Sequence, residues 1–470
     1  MEYFVDRESE MVTLQNEYKR EGSSLVIVYG RRGIGKTLLI SQFIKDKKAL
    51  FFLAGEESEP QNRNEFKRKA ADFLENDLLK NVDVKNWEII FKTIADTPFD
   101  RKPVIVLDEF QHIGKSNPEF LSVFHYIWDT ILKNKSVMVI LSGSRVSAME
   151  SQTLAHHSPL YGLSTAQIRM GQIPFSYYHS FFRNKNRREL IELYSVTGGI
   201  PKYIEPFTAD GNIYELIQGC VLNRSGYLYD EPYLLLQQEV MEIGSYFSIL
   251  KAIAEGNRKM ASLSVALESK ATGLTKYLKT LIDLDILERE VPVTEENPGK
   301  CKRGLYKIKD NYIRFWFAFI FPNMSFIESG NSRVVMDRIR ANLIGGHTAY
   351  VYEDICRERM WALAEKGFWP FRISKIGRWW DKSSEIAIAA VALEGDHLVL
   401  GQCKYQEEPV GMNILQELEV KADVVDWRRD SRRVWYVLFS VAGFTEQLRK
   451  LAAERKDVFL FDDSENSENR

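Results

Sequence analysis

The chain has 470 residues, of which 45% are hydrophobic and 27% are charged, and this composition excludes a disordered or a fibrous protein. Its length corresponds to about three domains, each long enough to bury its own core. The 63 Lys and Arg residues nearly balance the 65 Asp and Glu residues, so a uniformly basic protein is also excluded. The four cysteines are widely spaced, and neither a signal peptide nor a membrane-spanning segment is recognisable, so we expect a cytoplasmic protein with no membrane partner.

Short apolar segments dominate the first 205 residues and have the pattern of strands that are buried on both faces of a parallel sheet. They cover residues 25–30, 49–54, 103–110 and 137–144, and amphipathic segments predicted to be helices lie between them. This alternation is typical of an α/β domain with right-handed crossovers. We therefore predict an α/β domain with a parallel sheet over residues 1–205, which includes the start of a helical lid, and a helical connector over residues 206–244.

A glycine-rich segment, GRRGIGKT, follows the first predicted strand and precedes an apolar helix start. It fits the P-loop pattern G-x-x-x-x-G-K-[ST], in which backbone N–H groups surround phosphate oxygens. Lys36 is expected to neutralise the β- and γ-phosphates of ATP, and the Thr37 hydroxyl to bind Mg²⁺. The predicted nucleotide-binding residues of this segment are Gly30, Arg31, Arg32, Gly33, Ile34, Gly35, Lys36, Thr37 and Leu38.

The segment VIVLDEF is an apolar strand that ends in two acids. Asp108 is expected to hold Mg²⁺, and Glu109 to polarise the water that attacks the γ-phosphate. The strand at residues 137–144 also ends in polar residues, where a γ-phosphate sensor would lie. Ser142 and Ser144 are both candidates, and the sequence does not choose between them. A chance glycine-rich turn is the alternative interpretation, and the acid pair argues against it.

Three predicted helices and a two-stranded ribbon over residues 245–325 have the order of a winged helix-turn-helix. The third helix, residues 272–284, would be the recognition helix, and residues 298–309 carry five basic residues and no acidic one. The candidate DNA-binding residues are Lys276, Lys279, Lys302 and Arg303. The alternatives are a module that binds protein and a lysine-rich hairpin that is only solvated.

These motifs, together with FVDRESEM (4–11), LSGS (141–144), SPLYG (158–162) and TGGIPKYIE (197–205), resemble the archaeal-type P-loop ATPases, a branch of the AAA+/STAND NTPases. The resemblance implies that Phe4 and Arg7 lie near the adenine of ATP. Relatives commonly have an arginine at the position of Leu163. A γ-phosphate-sensing arginine would therefore be missing here, or replaced by Arg145 or Arg169.

The resemblance extends to residues 340–462, for which it implies a PD-(D/E)xK restriction-endonuclease-like αβ domain. That family pattern has a helix glutamate, an E-I-D strand and an E-C-K strand, whose acids bind a divalent metal. The corresponding residues here are Glu353, Glu385, Ala387, Gln402 and Lys404. Two anionic ligands are thus lost, which implies weak or absent cleavage. The sequence does not decide whether these two residues are natural or introduced, and a domain used only for packing is the alternative.

The three signals together predict a Mg²⁺-dependent ATPase that is coupled to DNA binding. The alternative is a nucleotide-dependent switch or scaffold that acts through a protein partner or a homo-oligomer. Residues 463–470 are acidic and polar, and we expect them to be disordered.

Overall fold

The computed structural model describes residues 4–464, so residues 1–3 and 465–470 lie outside the described residues. The chain divides into two compact units. Unit 1 contains the residues up to Gln172 and the segment Gln238–Val240, and unit 2 contains the remainder. Within the described part of the chain, no helix is both long and apolar enough to cross a membrane.

Unit 1 is built on a parallel sheet, as the sequence predicts, and the sheet has five strands. Its strands are β1 (Ser24–Tyr29), β2 (Ala49–Leu53), β3 (Val104–Asp108), β4 (Met138–Gly143) and β5 (Ala166–Arg169). Its helices are α1 (Glu8–Lys19), α2 (Lys36–Ile44), α3 (Glu59–Leu74), α4 (Asp77–Asn81), α5 (Trp87–Asp96), α6 (Gln111–Ser116), α7 (Phe120–Ile127) and α8 (Val146–Met149).

The strand order is β2-β3-β4-β1-β5, so β4 lies between the strand that precedes the P-loop and the strand that carries the acids. Every residue of β1, β3 and β4 is buried, because helices cover both faces of a parallel sheet. The sequence analysis missed β5, a four-residue edge strand in which Gln167 and Arg169 are exposed.

Unit 2 begins at Ile173. The backbone N–H of Ile173 donates to the carbonyl of Gly199, and the hydroxyls of Tyr178 and Thr197 form a buried hydrogen bond of 2.8 Å. These contacts attach the segment that follows β5 to the helices of unit 2. The helices of this part are α9 (Phe175–Tyr178), α10 (Arg187–Thr197), α11 (Pro201–Ile204), α12 (Ile213–Cys220) and α13 (Glu231–Glu239), the last of which ends in unit 1.

The three helices and the ribbon predicted after residue 245 are present in the predicted order. They are α14 (Gly244–Ala254), α15 (Met260–Ala266), α16 (Ala271–Asp283) and the antiparallel strands β6 (Leu287–Glu290) and β7 (Leu305–Ile308). The helices α17 (Asn311–Phe315), α18 (Met324–Glu328) and α19 (Ser332–Asn342) follow.

The last part of unit 2 contains a mixed five-stranded sheet in the order β12-β11-β10-β9-β8. Its elements are α20 (Ala349–Glu365), β8 (Ile373–Trp380), β9 (Glu385–Ala392), β10 (His397–Lys404), α21 (Met412–Val424), β11 (Arg433–Ser440), α22 (Glu446–Glu454) and β12 (Val458–Asp462). Strands β8, β9 and β10 are antiparallel neighbours, and β10, β11 and β12 are parallel.

Asp463, the first residue of the predicted tail, is buried and accepts hydrogen bonds from Tyr352 and Arg359. The predicted start of disorder at this residue is therefore wrong.

Candidate functional site

The loop between β1 and α2 has a backbone that requires glycine. Gly33 and Gly35 have φ values of +78° and +97°, which side chains disfavour. At Gly30, a Cβ atom would lie 2.7 Å from the carbonyl oxygen of Met170, closer than real contacts allow. The loop therefore turns tightly against Met170, the residue that follows β5.

Lys36 is the first residue of α2, and its ammonium group is turned toward the loop. Nζ donates to the carbonyl oxygens of Gly30 at 2.8 Å and Arg31 at 3.0 Å. Burial lowers the pKa of Lys36 to about 8, although Glu109, Asp108 and Glu239 act in the opposite direction. The ammonium group is thus held inside the loop, where a bound phosphate would be its anionic partner.

Thr37 connects the loop to β3. Its hydroxyl donates to Oδ2 of Asp108 across 3.2 Å, and Oδ1 of the same carboxylate accepts from the backbone N–H of Glu109 at 3.1 Å. The glycine-rich segment and the acid pair, which are about 70 positions apart in the sequence, therefore meet at one edge of the sheet.

Glu109 has a φ of +53°, in the left-handed region, so its side chain leaves the direction of the strand. Its carboxylate accepts a hydrogen bond of 2.7 Å from the hydroxyl of Ser144 and a short one from the amide of Gln111. Ser142 is fully buried, and its Oγ has no hydrogen-bond partner among the described residues. The structure therefore places Ser144, and not Ser142, next to Glu109.

Arg7 is buried beside the loop, where burial lowers its pKa. Its guanidinium donates to the carbonyl oxygens of Ile34 at 3.3 Å and Gly171 at 2.9 Å, so it connects the loop to the segment that follows β5. Phe4 is 38% exposed and Arg32 is exposed. Leu163 is half-buried, and Arg169 lies 3.8 Å from the carboxylate of Glu150.

Three residues near the acid pair were missed by the sequence analysis. Gln111 binds Glu109, and Nε2 of His112 lies 3.8 Å from the same carboxylate, with the pKa of His112 lowered by burial. Glu239 accepts a hydrogen bond of 3.1 Å from Ser147, and burial raises its pKa while Arg145 opposes that shift. Gln111 and His112 could have been suggested by their position directly after the acid pair, but no sequence signal connects Glu239 to Ser147, 92 positions earlier.

The predicted DNA-binding residues of unit 2 lie at the surface. Lys276 and Lys279 are exposed on one face of α16, and Lys302 is exposed in the ribbon loop. Arg303 is exposed and contacts Glu295 at 3.3 Å. The basic segment is less available than its composition indicates, because Lys307 is buried and Lys309 pairs with Asp285 at 2.6 Å.

The predicted nuclease-like residues come together on α20, β9 and β10. Strands β9 and β10 pair Ile388 with Gly401, so the next pair of this antiparallel register brings Ala387 opposite Gln402. The guanidinium of Arg378, on β8, forms a short ion pair with Glu353 on α20 and contacts Glu385 at 3.3 Å. Among residues 4–464, no three His, Cys, Asp or Glu side chains are grouped so that they could hold a metal. The two remaining carboxylates of this site are thus bound by an arginine.

The parallel sheet, the P-loop and the paired acids define an ATPase domain of the P-loop class. Residues 4–207 match an ATPase domain predominantly from Archaea, and residues 316–421 match Archaea bacterial proteins of unknown function. The uncharacterized protein MJECL04 of Methanocaldococcus jannaschii is 32% identical over 464 residues, which cover 98% of this chain and 99% of that protein. The chain therefore belongs to the family of archaeal-type ATPases that includes MJECL04.

More distant similarities concern single segments or the fold. The uncharacterized ATP-binding protein MJ0423 of the same archaeon is 42% identical over 45 residues, which are 10% of this chain and 76% of that protein. Among solved structures, the Walker-type ATPase paby2304 of Pyrococcus abyssi has a TM-score of 0.47 and 18% identity, with 67% of this chain and 96% of that chain covered.

Proposed function

We propose that unit 1 binds and hydrolyses ATP with Mg²⁺, using the residues of the P-loop and the two acids after β3. The observation that carries this proposal is the 3.2 Å contact between the Thr37 hydroxyl and the Asp108 carboxylate, with Lys36 at the start of the same helix. The N-terminus of α2 and the loop N–H groups add positive potential at the same place. Lys36, which favours a phosphate, thus lies next to Thr37 and Asp108, which favour a cation.

The donor set at this place fits Mg²⁺. One hydroxyl and one carboxylate supply oxygen ligands, and Mg²⁺ in nucleotide sites is bound by one or two such groups together with phosphates. When bound, the ion would neutralise charge on the phosphates. Thr37 and Asp108 would hold it, Lys36 would bind the β- and γ-phosphates, and Glu109 would orient and deprotonate the attacking water, with Ser144 as its hydrogen-bond partner.

Two variants of the full chain test this assignment. Lys36→Ala should lose ATP binding, whereas Glu109→Gln should keep binding and lose about 10²-fold or more in kcat, because a general base is removed. Lys45→Ala, an exposed lysine at the end of α2, is the matched control and should behave as the wild type. Wild-type turnover in either site variant contradicts the proposal.

For unit 2, we infer that α16 and the ribbon loop bind DNA. Support comes from the order of α14–α16, β6 and β7 and from the exposed ammonium groups of Lys276, Lys279 and Lys302. The double variant Lys276→Glu/Lys279→Glu should reduce DNA affinity and flatten its dependence on salt, since each phosphate contact releases counterions. The control is Lys85→Glu/Lys92→Glu, which changes the charge equally on exposed positions of unit 1. Unchanged DNA affinity in the α16 variant contradicts this assignment.

A second candidate function is a nucleotide-dependent switch or scaffold that binds a protein partner or another copy of the chain. It is favoured by the burial of Lys307 and the ion pairs of Arg303 and Lys309, which reduce the free positive charge on the ribbon. Absence of DNA binding even at low salt would support it.

For either function of unit 2, we propose that the nuclease-like domain does not cleave DNA, because Arg378 already binds Glu353 and Glu385.

A further inference from the structure

A cavity of about 110 Å³ opens in unit 2 where the ribbon meets α17 and α20. Its polar lining consists of Arg258, Lys307, Arg314 and Tyr350, and Gly256 and Ile308 contribute to the remaining wall. This volume far exceeds the roughly 10–15 Å³ that a single water needs. The lining contains three cationic side chains and no carboxylate among the described residues.

The ring of Tyr350 organises the cations of this cavity. The guanidinium carbon of Arg314 lies 3.4 Å from the ring centroid, and those of Arg378 and Arg258 lie 4.4 Å and 5.8 Å away. Nζ of Lys307 is 5.3 Å from the same centroid. An aromatic face attracts cations, yet it supplies much less compensation than a carboxylate does.

Two of the three cations of the lining pair with carboxylates that do not belong to the lining. Lys307 binds Asp354 at 2.5 Å, and Arg258 binds Glu290 at 2.6 Å. Glu290 must also compensate Lys307, Arg357 and Arg378, whose charges all lower its pKa against the effect of burial. Glu288 also contacts Lys307 at 3.0 Å, and Glu353 and Glu385 pair with Arg378. These cations are therefore compensated, and Arg314 is the lining cation for which no ion pair is found among the described residues.

Arg314 differs from its neighbours because it forms no ion pair among the described residues, and the charge of Glu353 only partly offsets the effect of its burial. Its Nη1 atom is buried and makes no hydrogen bond to any residue within the described range 4–464. Burial is the largest influence on Arg314 and lowers its pKa. A buried donor of a charged group is costly when it is left unpaired, so this guanidinium is suited to a ligand that enters the cavity.

We propose that this cavity binds a phosphate group, held by Arg314 with Arg258 and Lys307. Guanidinium groups match tetrahedral oxyanions because their N–H donors bind two oxygens at once. The absence of carboxylates from the described lining excludes a metal cation and favours an anion. The phosphate is either a free inorganic ion or the terminal phosphate of a nucleic acid, and both present the same chemistry to the three cations. This inference does not depend on the ATPase assignment of unit 1.

The test uses the full chain with Lys36→Ala, so that the P-loop does not contribute to phosphate binding. Inorganic phosphate is titrated at constant ionic strength by calorimetry into this background and into the same chain with Arg314→Gln added. Arg333→Gln, which removes an exposed arginine of α19, is the matched control. Saturable binding that weakens at least tenfold with Arg314→Gln and is unchanged with Arg333→Gln is the expected result.

Arg258→Gln provides a second lining variant with the same expected loss, in case Arg314→Gln does not fold. A second arm compares single-stranded oligonucleotides that carry a 5′-phosphate or a 5′-hydroxyl. A preference for the phosphorylated strand that depends on Arg314 identifies a nucleic-acid terminus as the source, whereas phosphate binding without this preference identifies the free ion. Phosphate affinity that is the same in the background and in the lining variants, or no saturable binding, overturns the proposal.

Discussion

The hydroxyl of Ser144 donates a 2.7 Å hydrogen bond to the carboxylate of Glu109, and this contact joins the end of β4 to the acid that follows β3. β4 is the direct neighbour of β3 in the sheet, so the two strand ends lie side by side. Ser142, two residues earlier, points into the core and makes no such contact. Of the two serines at the end of β4, only Ser144 is therefore placed to influence Glu109.

Replacement of the two serines should separate their effects. Ser144→Ala removes a hydrogen bond to Glu109, so kcat for ATP hydrolysis should fall several-fold while KM for ATP changes little. Ser142→Ala removes a buried hydroxyl that lacks a partner, so turnover should be unchanged and the melting temperature equal or higher. Steady-state kinetics and calorimetry on both variants measure this difference. A loss of kcat in Ser142→Ala alone would reverse the assignment.

Nucleotide affinity should depend on pH through Lys36. Its pKa is lowered by burial to about 8 in the nucleotide-free chain, so the ammonium loses its proton as the pH rises above that value. Affinity for ATP should therefore fall by about tenfold between pH 7 and pH 9, since each pH unit above the pKa reduces the protonated fraction tenfold. Titrations with a fluorescent non-hydrolysable ATP analogue measure the profile. Lys36→Met should bind weakly with a flat profile, and a flat profile in the wild type would contradict the lysine's role.

Restoring the missing acids of the nuclease-like domain should not restore cleavage. In Ala387→Asp/Gln402→Glu, the guanidinium of Arg378 would still bind Glu353 and Glu385, and a divalent cation would have to displace it. We expect no nicking of supercoiled plasmid with Mg²⁺ or Mn²⁺ in this double variant. Cleavage that is dependent on the metal would show that Arg378 leaves these carboxylates readily.

Lys307 should be a strong determinant of the stability of unit 2. It is 4% exposed and binds Asp354 at 2.5 Å and Glu288 at 3.0 Å, so Lys307→Met leaves carboxylates without their cation. Removal of one partner of a buried ion pair costs about 3–5 kcal/mol. Lys309→Met, two residues further, removes the cation of a half-exposed pair with Asp285 and should cost about 1 kcal/mol or less. Urea unfolding followed by tryptophan fluorescence compares the two, and equal losses would mean that burial does not matter here.

Much of unit 1 could be predicted because its signals are local. The strands β1, β3 and β4 are continuous apolar segments, and the P-loop is a contiguous motif whose backbone geometry follows from its glycines. The strands that were missed, β5, β8 and β12, are short or mix polar and apolar residues. β8 contains Lys375, Gly377 and Arg378, and its pairing with β9 shifts register twice, so it lacks a regular alternation.

The parts of the sites that were missed depend on contacts between distant segments. Arg378 lies on a strand, 25 positions after Glu353 on a helix, and nothing in the local sequence marks it as the partner of that glutamate. The same holds for Arg314, whose buried Nη1 atom is left without a hydrogen bond among the described residues only by the packing of the folded chain. Composition also misled in one place, because Lys307 counts as one of five basic residues of the ribbon but faces the interior.

The segment Gln238–Val240 belongs to unit 1 although the chain has already left that unit at Gln172. A truncation that ends at Gln172 would consequently omit Glu239, the hydrogen-bond partner of Ser147 and a neighbour of Lys36. Expression of the first 172 residues alone would thus yield an ATPase domain with an altered charge balance around its lysine.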